Sequence, residues 1–170
     1  VLEHVESLHD FLASTKKALH QNGLLVIEIP DSSWNLEQLD YALWEEHINY
    51  FTKGTINYLL KKQGFRIIHH EVTLFSGTAL TIFAEKTDSN VMESPKNTEK
   101  NDIKKYGSGW EPFKEQFRKL LEGKEATYVY GCGARSSTLI NFLCVADLLQ
   151  AYVDDQPQKQ NKYVPGSKLP

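Results

Sequence analysis

Apolar residues recur at two different spacings along the chain, which predicts helices alternating with strands. A first stripe at helical spacing leads to Asn22-Gly23, where a glycine that tolerates a left-handed conformation ends the predicted helix. The apolar run from Leu24 to Ile29, closed by Pro30, predicts a buried central strand in parallel pairing. A helix, a glycine and a strand in this order are typical of a right-handed α/β unit.

The middle of the chain predicts one helix, a hairpin and a linker. Thr52 is a predicted N-cap for a helix that ends at Gly64. The β-like runs 65–72 and 79–85 are joined by a short turn, which predicts an antiparallel pair. The polar segment 87–101 is a predicted linker, so we expect the domain boundary there.

A long amphipathic segment opens the last third of the chain. Its apolar residues between Ile103 and Leu120 recur at helical spacing. Gly107, Gly109 and Pro112 predict a break in the middle of this helix.

Beyond this segment the pattern predicts a βαβ unit. A strand at 127–130 leads through a glycine turn into an apolar helix that ends at Leu143, and a second strand follows at 148–153. We expect this unit to be separate from the strands of the first half.

Composition narrows the class of protein. The chain has 170 residues, 41% of them apolar, and a formal net charge of −3 with acids and bases interspersed. This argues against a nucleic-acid partner, which would leave a basic stripe. No apolar run approaches the ~20 residues of a membrane helix, and no signal peptide is visible. Two cysteines outside any metal-type pair indicate a reduced, cytoplasmic protein. Because the single methionine is Met92 and the chain begins at Val1, we expect a piece of a longer protein.

The stretch from Trp44 to Phe51 carries the densest chemistry, with acids, a histidine and several aromatic rings in eight residues. Glu46 could orient His47 and stabilise its protonated ring, as in general-base catalysis. The competing interpretation is a helix start whose rings are core and whose acids are solvated. Further His or Cys ligands at suitable spacing are lacking, so we expect no metal site. His4 is a second candidate, for helix capping or for catalysis.

The glycine turn is the other candidate site. Gly131 and Gly133 would let a phosphate approach the backbone at a helix N-terminus, and Asp154 follows the next strand as a ribose-binding acid would. Ser136 replaces the third glycine of such turns. Glycine turns also occur with nothing bound, simply to let a helix pack on its strand.

Several motifs resemble those of a known enzyme family. VLEHV, GLLVIEIP and WEEHINYF, in this order, resemble the second half of a class I S-adenosylmethionine-dependent methyltransferase. YGCGARSSTL and VDDQPQKQNKYVPGS are similar to the extra C-terminal domain of the sugar C-methyltransferases. The resemblance implies an α/β fold. Residues 1–86 would be the C-terminal half of a Rossmann-like methyltransferase sheet, and residues 102–170 a second, incomplete Rossmann-like domain.

The resemblance also implies the site. The family's Tyr-x-Glu-His motif falls on Glu46 and His47, with Trp44 at the tyrosine position. It implies S-adenosylmethionine as cofactor, bound mainly upstream of residue 1, and a nucleotide-linked sugar as small-molecule substrate, methylated on carbon or on oxygen. A nucleotide-sugar or dinucleotide binding module without methyl transfer is the alternative. His47, Glu46 and His4 are then the catalytic candidates, and the substrate-binding candidates are Trp44, Tyr50, Gly131, Gly133, Arg135, Asp154 and Lys159.

Overall fold

The computed structural model describes residues 1–40, 46–74, 77–88 and 100–170. These residues form two compact units, Val1–Ile103 and Lys104–Pro170. Most of the predicted linker lies outside the described residues, and the domain boundary at 87–101 stays a prediction. None of the helices in the described ranges combines the length and the apolar character that a membrane-spanning segment needs.

The first unit is a three-stranded antiparallel sheet with helices. The central strand is the third in the sequence, and both neighbours pair with it in antiparallel fashion. The elements are a 3₁₀ turn Leu2–His4, α1 (Leu8–Ala18), β1 (Leu24–Pro30), α2 (Ser32–Gln38), α3 (Lys53–Lys62), β2 (Phe65–Leu74) and β3 (Thr78–Lys86). The predicted antiparallel pair is confirmed as β2 and β3.

The predicted character of β1 was wrong in two respects. Among the described strands it is an edge strand that pairs antiparallel with β3, from Leu24 opposite Glu85 to Pro30 opposite Ala79. Its residues also alternate in burial, with Ile29 in the core and Val26 half exposed. Successive side chains of a strand point to opposite faces of the sheet, and in this unit the core lies on one face only.

The helix ends of the first unit follow the predicted chemistry. The Thr52 hydroxyl accepts from the backbone N–H of Thr55, and the Thr55 hydroxyl accepts from that of Thr52, which closes a capping box at the start of α3. Gly64 ends the helix at φ +79°, a backbone conformation that favours glycine. The apolar faces of α1 and α3 then pack on the inner face of the sheet, and the buried cluster is Leu2, Leu12, Ile29, Phe51, Ile56, Leu60, Phe65, Leu80, Ile82 and Ala84.

The second unit contains the predicted βαβ arrangement. Its two short strands are parallel neighbours. The elements are α4 (Lys100–Leu121), which begins in the first unit, then β4 (Tyr128–Tyr130), α5 (Ala134–Leu143), a 3₁₀ turn Ala146–Leu148 and β5 (Ala151–Val153). The second strand is shorter than predicted, because the 3₁₀ turn takes up the start of its apolar run. The chain is therefore a mixed α/β protein, as predicted.

The predicted break in the long helix was wrong. Helix α4 continues without interruption through Pro112. Proline inside a helix costs about 3 kcal/mol because it removes one hydrogen bond and crowds the preceding turn. Packing offsets that cost here. Trp110 is buried with its ring centroid 5.2 Å from that of Phe142, and Phe113 and Phe117 of the same helix pack against the core of this unit.

Candidate functional site

Two Glu-His pairs, one at residues 3–4 and one at residues 46–47, meet in the first unit. The first pair lies on the 3₁₀ turn Leu2–His4. Leu2 is only 1% exposed and belongs to the core of the unit, so the turn that carries Glu3 and His4 is anchored by its first residue. Fixing the backbone in this way limits the positions that the two side chains can reach.

Hydrogen bonds from the residues that follow Glu46 and His47 join this segment to the one that carries Glu3 and His4. The backbone N–H groups of Ile48 and Asn49 both donate to the carbonyl of Glu3, at 2.8 and 3.1 Å. The Asn49 side-chain amide donates to the carbonyls of Leu2 and Val5, at 3.2 and 2.7 Å. Residues separated by more than forty positions are thus joined by four hydrogen bonds.

The two imidazole rings lie edge to face. The ring centroids of His4 and His47 are 4.8 Å apart, and the rings are inclined by 75°. His4 Nδ1 is 2.7 Å from the backbone carbonyl of Glu46. A carbonyl oxygen only accepts, so Nδ1 carries a proton, and Nε2 of a neutral His4 ring holds the lone pair. Tyr50 adds an aromatic neighbour, with its ring centroid 6.3 Å from that of His47.

The acid of this cluster is Glu3. Its Oε1 lies 3.6 Å from His4 Nε2, and one ligand atom from each of Glu3, His4 and His47 lies within 4.8 Å of the others. The Glu3 side chain is only 13% exposed. Burial raises the pKa of its carboxyl, but hydrogen bonds from the Val1 ammonium group and the backbone, with nearby positive charge, outweigh burial, so the pKa is lowered.

Glu3 was missed by sequence reasoning, which assigned the acid to Glu46. What Glu46 contributes to His4 is its backbone carbonyl, and its side chain is exposed. A signal for Glu3 was available, since the same Glu-His dipeptide stands at both positions. The expectation of no metal site rested on spacing along the sequence, which does not register ligands brought together from two distant segments. That expectation stays a prediction. Trp44 lies outside the described residues.

The glycine-turn residues form a separate group in the second unit. Gly131 ends β4 at φ +94°, and Gly133 is the N-cap of α5. Asp154, at the end of β5, accepts from the backbone N–H of Cys132 at 2.7 Å and from that of Gln156 at 2.9 Å. The Lys159 ammonium group donates to the same carboxylate at 3.1 Å.

The hydrogen bonds to Asp154 change the pKa of its carboxyl group. The backbone N–H groups of Gln156 and Cys132, and then the Lys159 ammonium group, hold the pKa of Asp154 below its ordinary value. The carboxylate thus ties the end of β5 to the turn after β4.

Ser136 completes the turn from within. Its hydroxyl accepts from the backbone N–H of Gly133 at 3.1 Å and contacts the carbonyls of Gly131 and Gly133. The N–H groups of Cys132 and Gly133, which a phosphate would need, already have protein acceptors. Arg135 is exposed in the first turn of α5. The structure therefore brings two groups of predicted residues together: His4, Glu46, His47 and Tyr50 in the first unit, and Gly131, Gly133, Asp154 and Lys159 in the second.

Two family models match the chain. The model of a methyltransferase domain matches residues 1–70, and that of the C-methyltransferase C-terminal domain matches residues 76–170, more than half of the chain. The C-methyltransferase NovU of Streptomyces niveus is 22% identical in an alignment 185 residues long. The alignment covers 98% of this chain and 44% of that protein. The chain thus spans less than half the length of this curated relative.

Proposed function

The chain belongs to the C-methyltransferase family, and from this premise we propose that it supplies the proton-abstracting part of a sugar C-methyltransferase that uses S-adenosylmethionine. The single observation that carries the proposal is the contact between the His4 and His47 rings beside the Glu3 carboxylate. A partly buried acid next to paired imidazoles is the arrangement that takes up a proton and stabilises the charge it brings.

In the proposed reaction His47 removes a proton from the carbon next to a keto group of the sugar. The C–H electron pair moves into the carbonyl group and leaves an enolate, whose carbon is the nucleophile for methylation. The proton stays on His47 as an imidazolium, and the Glu3 carboxylate offsets its positive charge. His4, held by its Nδ1–H bond to Glu46, fixes the orientation of the neighbouring ring.

S-adenosylmethionine is the methyl donor that the family implies, and the described residues do not fit it. The only glycine turn among the sequence candidates has its N–H groups bonded to Asp154 and Ser136. The role proposed for this chain is therefore proton transfer, and we expect the donor to be held mainly by residues outside it.

The substrate is proposed to be a nucleotide-linked sugar, on the strength of the C-terminal motifs that resemble the sugar C-methyltransferases. Transfer to carbon is favoured over transfer to oxygen by the family that the second half of the chain matches. A cytoplasmic location fits the supply of such activated sugars.

An experiment in deuterated solvent distinguishes methyl transfer to carbon from methyl transfer to oxygen. An enolate mechanism exchanges the carbon-bound hydrogen of the sugar, whereas removal of a hydroxyl proton leaves that hydrogen in place.

The test is His47→Ala in the full-length enzyme. A positioned general base contributes about 10²–10⁴-fold to turnover, so we expect a loss of that size. KM should change far less, because a base acts mainly on the transition state. His20→Ala, at an exposed histidine outside the cluster, is the matched control and should leave turnover unchanged. A folded His47→Ala enzyme with nearly full activity would exclude the histidine from the mechanism.

A paired substitution identifies the acid. If Glu3 stabilises the charged ring, Glu3→Gln lowers turnover more than Glu46→Gln does, because of these two carboxylates it is that of Glu3 that lies among the imidazoles. The reverse order would restore Glu46 as the partner. Melting temperatures measured on the same samples separate a catalytic loss from unfolding.

The alternative function, a nucleotide-sugar or dinucleotide binding module, would use the glycine turn of the second unit. The hydrogen bonds that already engage Cys132 and Gly133 weigh against it. Calorimetry with a nucleoside diphosphate sugar tests it directly. Tight binding to this chain that is unchanged by His4→Ala and His47→Ala would favour the binding module.

A further inference from the structure

We propose that Glu3, His4 and His47 form a binding site for a divalent cation of the zinc class. The site combines two imidazole nitrogens with one carboxylate oxygen, and these ligand atoms lie within 4.8 Å of one another. Zinc sites that keep a position open for water or substrate use three protein ligands of these types. The binding itself does not depend on the proposed function.

The tautomer of His4 suits this role. In metal sites the ligating imidazole usually donates its second N–H to a backbone carbonyl or a carboxylate, which fixes the ring and directs the other nitrogen to the metal. His4 does this with Glu46, through Nδ1 at 2.7 Å. Its Nε2 then faces Glu3 Oε1 at 3.6 Å, so one nitrogen lone pair and one carboxylate oxygen already converge.

The ligand atoms of Glu3, His4 and His47 need to move only a short distance toward one another to bind zinc. Zinc bonds of about 2.0–2.2 Å to nitrogen and oxygen set ligand atoms roughly 3.4 Å apart in a tetrahedron. The Glu3–His4 pair is already at that separation, and the contact that must shorten is the one to His47. Rotation of the His47 side chain can supply it, since Asn49 and Ile48 hold the backbones of the two segments together.

Charge also favours a cation at this point. A carboxylate that is only 13% exposed strengthens its attraction for a cation, because little water screens it. One nitrogen from each of the two imidazole rings completes the donor set.

Binding is tested on the chain itself, without a tag, by titration with Zn²⁺ in a calorimeter and with Co²⁺ as a visible-absorption probe. We expect a single site, Co²⁺ bands of a low-coordinate nitrogen–oxygen site, and a loss of affinity of at least about tenfold in Glu3→Gln, His4→Ala and His47→Ala, since each removes a ligand. The nearly isosteric Glu3→Gln keeps the test valid if a histidine variant fails to fold.

The matched control is His9→Ala. His9 lies 3.4 Å from Asp10, but this exposed pair has no second histidine in the clusters of possible metal ligands among the described residues. Its substitution should leave the affinity unchanged. Binding that is equally weak in the native chain and all three ligand variants, or that is lost in His9→Ala instead, would overturn the site.

A second arm uses the full-length enzyme and rests on the proposed function. A cation and a proton compete for His47, so added Zn²⁺ should inhibit turnover, and a chelator should restore it. Inhibition with the affinity measured on the chain supports the competition. If the chain binds zinc through these residues and turnover stays unaffected, the competition is overturned and His47 is not the base. The two failures are therefore distinguishable.

Discussion

The two candidate sites of this molecule differ in which chemical groups hold their chain segments together. In the first unit, backbone groups and the Asn49 amide join the two segments, and the ionisable side chains of Glu3, His4 and His47 face one another. In the second unit the ionisable side chain of Asp154 itself joins the segments. A similar density of polar residues thus leaves ionisable side chains facing one another in one place and engaged in structural hydrogen bonds in the other.

Glycine turns differ in whether their backbone N–H groups remain available to a ligand. A glycine turn binds phosphate through N–H groups that have no other acceptor. In this chain Ser136 stands where the third glycine of the motif would be, and its hydroxyl bonds within the turn. Ser136, which departs from the glycine motif, therefore supplies the hydrogen-bond partner that a phosphate would otherwise supply to the Gly133 N–H group.

The largest effect is expected from Leu2→Ala, in the core of the first unit. Removing a fully buried leucine costs about 2–5 kcal/mol of unfolding free energy, and here it also releases the turn that carries Glu3 and His4. Denaturant unfolding of the chain measures the loss, and zinc affinity reports on the turn. Leu24→Ala, at a half-exposed residue of β1, is the control and should cost far less.

Asn49→Ala comes next. The substitution leaves the carbonyls of Leu2 and Val5 without their side-chain donor, for which we expect a loss of about 1–3 kcal/mol. In the full-length enzyme kcat should fall more than KM rises, because the two imidazoles lose their alignment. Asn101→Ala, at an exposed position of α4, should change neither quantity. An Asn49→Ala enzyme with unchanged kcat would show that the hydrogen bonds of the Asn49 side chain to Leu2 and Val5 do not position the site.

Sequence alone identified much of the fold because its signals were local. The N-cap at Thr52, the hairpin of β2 and β3, and the βαβ unit each depend on neighbouring residues. The family resemblance is confirmed by matches over both halves of the chain. The signals that failed were those that tertiary packing overrides. Pro112 is tolerated inside α4 because apolar residues of the same helix pack on the core of the second unit.

The candidate site was only partly accessible from sequence for the same physical reason. His47 and His4 were both singled out, but their contact spans more than forty residues and could not be derived from spacing. The assignment of the acid to Glu46 followed from adjacency. The fold instead directs the backbone of Glu46 toward His4 and brings in Glu3 from the other segment.

Gly131→Ala tests whether the glycine turn is a matter of backbone geometry. Gly131 has φ +94°, and a Cβ there would meet nothing within 4 Å, so the whole cost is conformational, about 1–2 kcal/mol. Gly107→Ala is the matched comparison, because Gly107 lies inside α4 with equal space and alanine is the better helix former by about 1 kcal/mol. We expect the two substitutions to change the unfolding free energy with opposite signs. A stabilising Gly131→Ala would contradict the observed turn, and a destabilising Gly107→Ala would contradict the unbroken helix.

The smallest effect concerns the pH dependence of the second unit. The pKa of Asp154 is lowered from its ordinary 3.8, so the folded chain holds this carboxyl less protonated than the unfolded chain does. Its contribution to stability is therefore complete above pH 3.8 and is lost as the pH falls through that value toward the folded pKa. Asp154→Asn removes the contribution.

We expect the melting temperature of Asp154→Asn to lie below that of the native chain at pH 7, and the difference to shrink as the pH is lowered below about 4. Glu125→Gln, at an exposed residue of the same unit, should show little difference at any pH. If Asp154 were kept to bind a ribose rather than to close the turn, its substitution would leave the melting temperature of the chain without ligand unchanged at pH 7. A pH-independent gap would show that the carboxylate acts through hydrogen-bond geometry alone, without the charge that its partners Cys132, Gln156 and Lys159 stabilise.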